Sequence, residues 1–342
     1  MVSTSKIAVC IVLLLLTAAS AAQLKQIAVI EIPGRPGFDA LAFSGKYLMI
    51  SHTSIGTVDI FDTGRRRVVK QISEMSAPRG LAVDNEGGLL YIANSGNNSI
   101  AVVSTQDWQV QKTIQLPISP DALLFVAPQK MLYAGARRSN GLAVVNLGLG
   151  NQVSLVELAG KPEQMAFDPE QKLVFVNVQD SAEVVGVDAS GRLARRFKLA
   201  ASQPTGLALD AKARRLYIAV RSAVLVLDAS NGTELARVPS AHGTDSLWFD
   251  EATRSVYAGA ADGTVNMIHT TDGRYFSEDE LRTEVRGHTL AYDPARSFVY
   301  VPGGREGRSK LVILRRVENP DTSLQQADRN TEAQPQVAKN NR

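Results

Sequence analysis

The feature that most constrains this chain is an internal repeat of about 42 residues. Each period contains one short β-type run, such as "YIAN" or "YVPG", that opens on a large apolar or aromatic residue. These residues are Met49, Tyr91, Tyr133, Phe175, Tyr217, Tyr257 and Tyr300. Their successive spacings are 42, 42, 42, 42, 40 and 43 residues. A period of this length indicates stacked supersecondary units that bury their faces against one another.

Each period reads as four short strands separated by polar turns. In the second unit these are Gly80–Asp84, Tyr91–Asn94, Ser99–Ser104 and the more polar Gln109–Leu116. Four strands per period of about 40 residues are typical of a propeller blade. The sequence therefore predicts an all-β fold: a seven-bladed β-propeller with four antiparallel strands per blade, spanning residues 23–317.

The two ends of the repeat region predict how the ring closes. A strand-like run, Gln26–Ile32, precedes the first unit, and the last unit ends on a third-type strand, Lys310–Val317, without a fourth. We expect the N-terminal strand to complete the last blade, which would join the first and last blades and remove an open sheet edge.

The segments outside the repeats have different predicted roles. A secretory signal is predicted over residues 1–22 from Lys6, the apolar run Ile7–Thr17 and the small residues after it. We expect it to be cut after Ala21 or Ala22, and the alternative is an uncleaved anchor. The apolar run is too short to span a bilayer, so we expect an exported protein, periplasmic or extracellular, with no stable membrane insertion after cleavage. Cys10 is the single cysteine, so the processed chain would have none. The polar tail, residues 318–342, is expected to be disordered.

Charge excludes one class of partner. The formal net charge is +3, and the basic clusters, of which Arg214–Arg215 is one, are scattered along the chain. This pattern indicates solvated faces and not a nucleic-acid footprint. We expect a monomer whose partner is a small polar molecule or another exported protein.

The stretch Tyr91–Ile114, "YIANSGNNSIAVVSTQDWQVQKTI", resembles the YVTN-type β-propeller repeat. The resemblance extends over nearly the whole repeat region, although the motif's asparagine is present as Asn94 and absent from most other blades. It implies the propeller fold and an exported bacterial protein with a surface-layer or binding role. Similar propellers include lactonases, quinoprotein subunits and the d1-haem propeller of nitrite reductases.

The candidate site comes from equivalent positions in different blades, because the sequence has no catalytic motif such as G-x-S-x-G or H-E-x-x-H. Two residues before each first-strand leucine, or its equivalent, every blade carries a polar residue. These residues are Asp39, Arg79, Asp121, Glu163, Thr205, Asp245 and His288. Near-sevenfold symmetry would place all seven around one mouth of the central channel.

Three interpretations of this ring remain open. It could tie adjacent blades together by ion pairs, or bind a polar or cationic small molecule. It could also form a lactonase-like hydrolytic site in which His288 works with Asp245, Glu163 and Arg79. Asp121 and Glu163 are neighbours in the ring with no ring cation between them, and such a pair raises one pKa or recruits a cation.

Histidines add a cofactor alternative. His52, at the position that Asn94 occupies in the next blade, and His242, before blade six, could share the mouth with His288. Three imidazoles near carboxylates could bind zinc, iron or a haem iron. We expect no cofactor, with a divalent metal, haem or a quinone as alternatives.

Two further features have structural interpretations. The aspartates that end "LAxD" runs, Asp84, Asp168, Asp210, Asp250 and Asp293, are expected to cap the turns that follow them. Residues 270–287 of blade six, with the acidic run Glu278–Glu280, predict either a loop over one face or a fourth strand with a longer turn.

Overall fold

The computed structural model describes residues 22–271 and 273–318, and these form the predicted seven-bladed β-propeller. Each blade is a four-stranded antiparallel sheet whose strands follow chain order from the channel outwards, apart from blade seven. Strand β1 (Gln23–Glu31) comes before the first blade. The predicted signal and polar tail lie outside the described residues, except for Ala22 and Glu318 at their inner ends.

Blades one to three contain strands β2 to β13. Blade one has β2 (Leu41–Ser44), β3 (Tyr47–His52), β4 (Thr57–Asp62) and β5 (Arg67–Ile72). Blade two has β6 (Pro78–Asp84), β7 (Leu89–Asn94), β8 (Ser99–Ser104) and β9 (Val110–Gln115). Blade three has β10 (Pro120–Val126), β11 (Met131–Ala136), β12 (Gly141–Asn146) and β13 (Gln152–Glu157).

Blades four to seven contain the remaining strands. Blade four has β14 (Pro162–Asp168), β15 (Leu173–Val178), β16 (Glu183–Val187) and β17 (Leu193–Lys198). Blade five has β18 (Leu207–Asp210), β19 (Arg215–Val220), β20 (Ala223–Asp228) and β21 (Glu234–Pro239). Blade six has β22 (Thr244–Asp250), β23 (Ser255–Ala260), β24 (Thr264–His269) and β25 (Phe276–Arg282). Blade seven has β26 (Ala291–Asp293), β27 (Phe298–Arg305) and β28 (Arg308–Val317). The helices of the described residues are three 3₁₀ turns, Thr53–Ile55, Ala127–Gln129 and Leu147–Leu149.

Position within the blade explains the composition of each strand. The second and third strands are covered on both faces by neighbouring blades, so β8 and β11 are buried along their whole length. Such strands read as continuous apolar runs because neither face meets water. The fourth strands form the outer rim, and every residue of β9 except the buried Ile114 is exposed.

The recurring tyrosine has a packing role between blades. Tyr91 of blade two packs on Phe125 of blade three, with ring centroids 5.4 Å apart. Tyr217 of blade five stacks on Phe249 of blade six at 5.4 Å, and Tyr257 of blade six stacks on Tyr292 of blade seven at 4.4 Å. In each case the second strand of one blade meets the first strand of the next. Aromatic pairs at these distances contribute about 0.5–1.5 kcal/mol beyond area burial.

Strand β1 closes the ring as predicted. It pairs antiparallel with β28 from Gln23 opposite Val317 to Glu31 opposite Lys310. Blade seven therefore has the order β26–β27–β28–β1, with the N-terminal strand outermost. Leu24 reaches the apolar cluster between blades six and seven, and Ile32 reaches the cluster between blades seven and one.

The turn-capping role of the "LAxD" aspartates is confirmed, and two of them also join blades. Asp168 accepts hydrogen bonds from the backbone N–H groups of Glu170 and Gln171 at 3.0 and 3.3 Å. It also accepts two bonds from Arg214 Nη1 of blade five, each 2.7 Å long. Arg214 is therefore held between blades, and the prediction of a solvated basic face is wrong for this residue. Arg254 binds Asp210 in the same way.

Among the described residues, no helix is long and apolar enough to cross a membrane.

Deleting residues 23–32 should abolish the cooperative unfolding of the monomer. The deletion removes the whole β1–β28 ladder and exposes the edge of β28. At about 0.5–1.5 kcal/mol per ladder bond, the loss is comparable with a domain's total stability of about 5–15 kcal/mol. Thermal unfolding and sedimentation velocity measure the effect; a truncated monomer with unchanged melting would contradict the closure.

Candidate functional site

Backbone irregularities place the predicted mouth residues. The register of β6 against β7 shifts between Pro78 and Leu81, and β10 and β14 shift at the equivalent point. In β22 the shift falls between Thr244 and Ser246. A bulge leaves a residue out of the ladder and re-aims its side chain. The residues at these shifts are Arg79, Asp121, Glu163 and Asp245.

Glycine lets the innermost strands approach one another directly after the mouth residue. A Cβ on Gly80 would lie 2.2 Å from the carbonyl oxygen of Asp121 in the next blade. A Cβ on Gly206 would lie 2.8 Å from the carbonyl oxygen of Asp245. The first strands can crowd around the axis at these points because glycine has no side chain to exclude the neighbouring backbone.

The structure brings all seven predicted mouth residues into the lining of one cavity of about 440 Å³. They are Asp39, Arg79, Asp121, Glu163, Thr205, Asp245 and His288. Ring closure makes blade one the neighbour of blade seven, so Asp39 and His288 face the same space. The Thr205 hydroxyl donates to the carbonyl oxygen of Thr244 at 3.1 Å and so joins blades five and six.

Arg79 lies between two carboxylates. Its Nη1 atom is 2.7 Å from Asp39 Oδ1 and 3.2 Å from Asp121 Oδ1. One guanidinium therefore bridges blades one, two and three. In this arc a cation lies between two carboxylates.

Lys161 is a mouth residue that sequence reasoning missed. Its Nζ atom is 2.6 Å from Glu163 Oε1 and 3.8 Å from Asp121 Oδ2, so a cation does lie between these two carboxylates. The expectation of an unshielded carboxylate pair is corrected accordingly. The sequence signal that could have identified Lys161 is its position: it is a charged residue directly before the recurring proline and two positions before Glu163.

His288 forms the third ion-pair contact of the mouth. Its Nδ1 atom is 2.6 Å from Asp245 Oδ2, and both side chains are partly exposed, at 40% and 38%. The hydrogen bond to Asp245 is the main cause that raises the pKa of His288 above its usual 6.5, with burial acting in the opposite direction. This geometry directs Nε2, the other ring nitrogen, away from Asp245.

Two mouth carboxyls hold their protons unusually well. Burial, together with the nearby charge of Asp121, raises the pKa of Asp39 to about 6 despite the opposing effect of Arg79. Burial also raises the pKa of Glu163 to about 7, because the attraction of Lys161 offsets burial only in part. The charges of Asp245 and Asp121 raise it further. Burial is thus the main reason why both carboxyls keep their protons to a higher pH than usual.

Other side chains bridge the channel next to the ring. The side-chain oxygen of Gln164, in blade four, accepts hydrogen bonds from the N–H groups of Leu207 at 2.9 Å and Leu247 at 3.3 Å. Gln164 thus joins three blades, a role that the sequence did not reveal. Trp248 lines the cavity, and its ring lies edge-on to Phe43 of blade one at 6.4 Å.

Two predicted candidates do not line the mouth. His52 is fully buried, with Nδ1 at 2.9 Å from Asp59 Oδ2 and Nε2 at 2.7 Å from the carbonyl oxygen of Arg35. Both ring nitrogens are used inside blade one, which removes His52 from the predicted group of three imidazoles. Asn94 is also buried, at the end of β7 opposite Pro78, and outside the cavity lining.

His242 does lie near His288. Both residues line an adjoining open hollow of about 420 Å³, together with Asp245, Thr205 and Arg221. Within residues 22–271 and 273–318, no group of three or more His, Cys, Asp or Glu side chains is arranged to hold a metal ion.

The acidic run of blade six lies on a strand and not on a loop over the mouth. Residues Phe276–Arg282 form β25, which pairs with β24 as the fourth strand. Glu280 accepts a hydrogen bond from Asn266 Nδ2 at 2.7 Å, and Glu278 and Asp279 face the start of β1.

Comparisons with known proteins support the propeller class. Residues 75–103, within blade two, match the family model of the NHL repeat. The solved structure of Kuenenia stuttgartiensis hydrazine synthase is similar, with a TM-score of 0.73 and 16% sequence identity. The alignment covers 85% of this chain and 98% of that chain. At this identity the likeness shows the fold alone. No curated protein sequence matches the chain.

The class is therefore a seven-bladed β-propeller built from propeller repeats, with a charged channel mouth.

The raised pKa of Glu163 predicts a specific pH dependence of stability. A carboxyl whose folded pKa exceeds its unfolded value destabilises the fold as pH rises from about 4.5 to about 7. Glu163→Gln removes this titration. The free energy of unfolding of Glu163→Gln, taken relative to that of the wild type, should therefore increase by about 1–3 kcal/mol between pH 5 and pH 8.

Denaturant unfolding at the two pH values measures this difference. Glu157→Gln, which neutralises an exposed carboxylate on β13, is the matched control for net charge. Wild-type and Glu163→Gln stabilities that change in parallel with pH would contradict the assigned environment of Glu163.

Proposed function

We propose that this protein is an exported, non-enzymatic β-propeller that binds a polar or cationic group in its channel mouth. The group belongs to a small molecule or to a side chain of another exported protein. The observation that carries the proposal is the excess of carboxyls over cations in one cavity. Asp39, Asp121, Glu163 and Asp245 share that cavity with Arg79, Lys161 and His288.

The contacts within the mouth favour a cation as the bound group. Arg79 forms ion pairs with Asp39 and Asp121, and Lys161 forms one with Glu163. Burial, and to a lesser extent the neighbouring carboxylates, raises the pKa values of Asp39 and Glu163 despite the resident cations. An added cation within about 4–6 Å would stabilise the ionised carboxylates and lower those pKa values. Binding a cation would therefore offset part of the cost of ionising these buried carboxyls.

The repeat type supports a binding role and not a particular ligand. Propeller repeats of the NHL kind often mediate protein binding, and residues 75–103 match that model. We also propose, from Tyr91–Ile114, that the repeats are of the YVTN type. Export and the periplasmic or extracellular location are part of the proposal, supported by the basic, apolar and small-residue order of residues 1–22.

A charge series of small probes tests this proposal. Titration calorimetry with n-butylammonium, butan-1-ol and butyrate compares a cation, a neutral molecule and an anion of similar size. We expect heat of binding for the cation, with affinity increasing from pH 5 to pH 8 as Asp39 and Glu163 lose their protons. Asp245→Asn should weaken the binding at least fivefold.

Glu157→Gln is the control, since it removes one negative charge far from the cavity lining. Tighter binding of butyrate than of butylammonium, or equal affinities in Asp245→Asn and the wild type, would contradict a cation site in the mouth.

The His288–Asp245 pair favours a second candidate function, hydrolysis of a lactone or ester. Asp245 holds His288 by Nδ1, which leaves Nε2 able to take a proton from a water molecule. Glu163, with its pKa raised to about 7, would be the proton donor to a leaving oxygen. Arg79 and Glu163 line the same cavity and complete the predicted group.

A panel of γ- and δ-lactones, assayed with the wild type and with His288→Ala, tests the hydrolase. A hydrolase would lose at least 100-fold in kcat/KM in the variant, in the range ascribed to general bases. Equal and negligible rates for both proteins would end this candidate.

A further inference from the structure

Two side-chain carboxylates of β25 hold the start of the propeller. The backbone N of Ala22 is 3.1 Å from Glu278 Oε1, and the backbone N of Leu24 is 2.6 Å from Asp279 Oδ2. Ala22 and Leu24 are both buried, at 2% and 4% exposure, in the cluster between blades six and seven. The chain therefore enters the fold at Ala22, one residue before β1 begins.

Glu278 is only partly satisfied by these contacts. Its side chain is 9% exposed, and its Oε2 atom has no hydrogen-bond partner among the described residues. The nearest cation is Arg316, whose Nη2 atom is 3.9 Å away and whose Nη1 atom contacts Glu318. A buried carboxylate oxygen without a donor is costly, so this position favours an additional donor with positive charge.

We propose that the chain is cleaved between Ala21 and Ala22, and that Glu278 binds the new α-ammonium group of Ala22. The residues before the bond, Ala19-Ser20-Ala21, have small side chains at the two positions that a leader peptidase reads. This inference rests on the predicted secretory signal and is independent of what the channel mouth binds.

Hydrolysis supplies the missing donor without any other reactant than water. The Ala21–Ala22 amide bond breaks and the hydroxyl of water goes to the carbonyl carbon of Ala21. The other proton of water and the proton of the new carboxyl go to the nitrogen of Ala22, which leaves a carboxylate on Ala21 and an ammonium on Ala22. The backbone N–H of Ala22 donates one hydrogen bond, whereas an ammonium has three N–H groups. The ammonium group can therefore donate charge-assisted hydrogen bonds to both carboxylate oxygens of Glu278.

The structure distinguishes this bond from the alternative after Ala22. Cleavage after Ala22 would remove the buried Ala22 methyl group and its bond to Glu278. The new terminus would be Gln23, an exposed residue opposite Val317. Glu278 would then lose its backbone donor and keep only the distant Arg316.

The first test is the intact mass of the protein expressed with its own leader and purified from the periplasm or the medium. A mass that begins at Ala22 is expected. A mass that begins at Gln23, or that includes the leader, would overturn the proposal.

The second test isolates the ammonium–Glu278 pair. Chains made from a removable fusion begin either at Ala22 itself or with Gly-Ser before Ala22, which keeps the amide and removes the charge. We expect the Ala22 chain to melt about 3–8 °C higher. Glu278→Gln should abolish that gap. Glu280→Gln, the same change on the same strand at a residue bound to Asn266, should preserve it.

Equal melting of the two wild-type chains, or the same gap in Glu278→Gln, would overturn the proposal. If Glu278→Gln does not fold, the rate of amine labelling of the wild type tests the proposal instead. The α-amine of Ala22 should react at least tenfold more slowly in the native protein than in urea, and equal rates would exclude a buried ion pair.

Discussion

The pairing of β1 with β28 is the contact on which the rest of the molecule depends. A blade buries its two faces only against its neighbours, so an open row of blades would leave one face bare at each end. The cluster that contains Ile32, Phe38, Leu48 and Tyr300 exists because blade seven meets blade one. The ladder that joins them is formed by the first strand of the fold, so the ring is complete only when the two ends of the repeat region meet.

Closure also creates the channel mouth. Blades that are more than 200 residues apart in the chain become neighbours, which is how Asp39 and His288 come to line one cavity. The bulges at the start of β6, β10, β14 and β22 then turn one side chain toward the axis in each of these four blades. The backbone of the repeat is thus nearly uniform at the mouth while the side chains differ, and this combination yields an asymmetric site on a symmetric frame.

Much of this arrangement could be predicted from the sequence because it follows from periodicity. The blade count, the closure by Gln26–Ile32 and the seven mouth positions depend on spacing and strand pattern alone. Lys161 was missed because it lies two positions before the aligned mouth position, and only its long side chain brings the ammonium group to Glu163. His52 was misplaced because the end of β3 lies inside blade one, where Asp59 fixes the imidazole. The role of β25 was left open because polar outer strands and loops have similar compositions.

The carboxyls of the mouth differ in their electrostatics from the carboxylates that cap turns elsewhere in the fold. Carboxylates that stabilise a fold are surrounded by donors that favour the charged form, as at Asp188, where the Ser190 hydroxyl and other donors lower the pKa to about 2. The turn carboxylate of Asp62 also has a lowered pKa, chiefly because the Arg65 N–H donates to it. Asp39 and Glu163 show the opposite shift, since burial and neighbouring carboxylates outweigh their cations. Ionisable groups with shifted pKa values cluster in the clefts of functional sites, and this is one ground for the binding role proposed above.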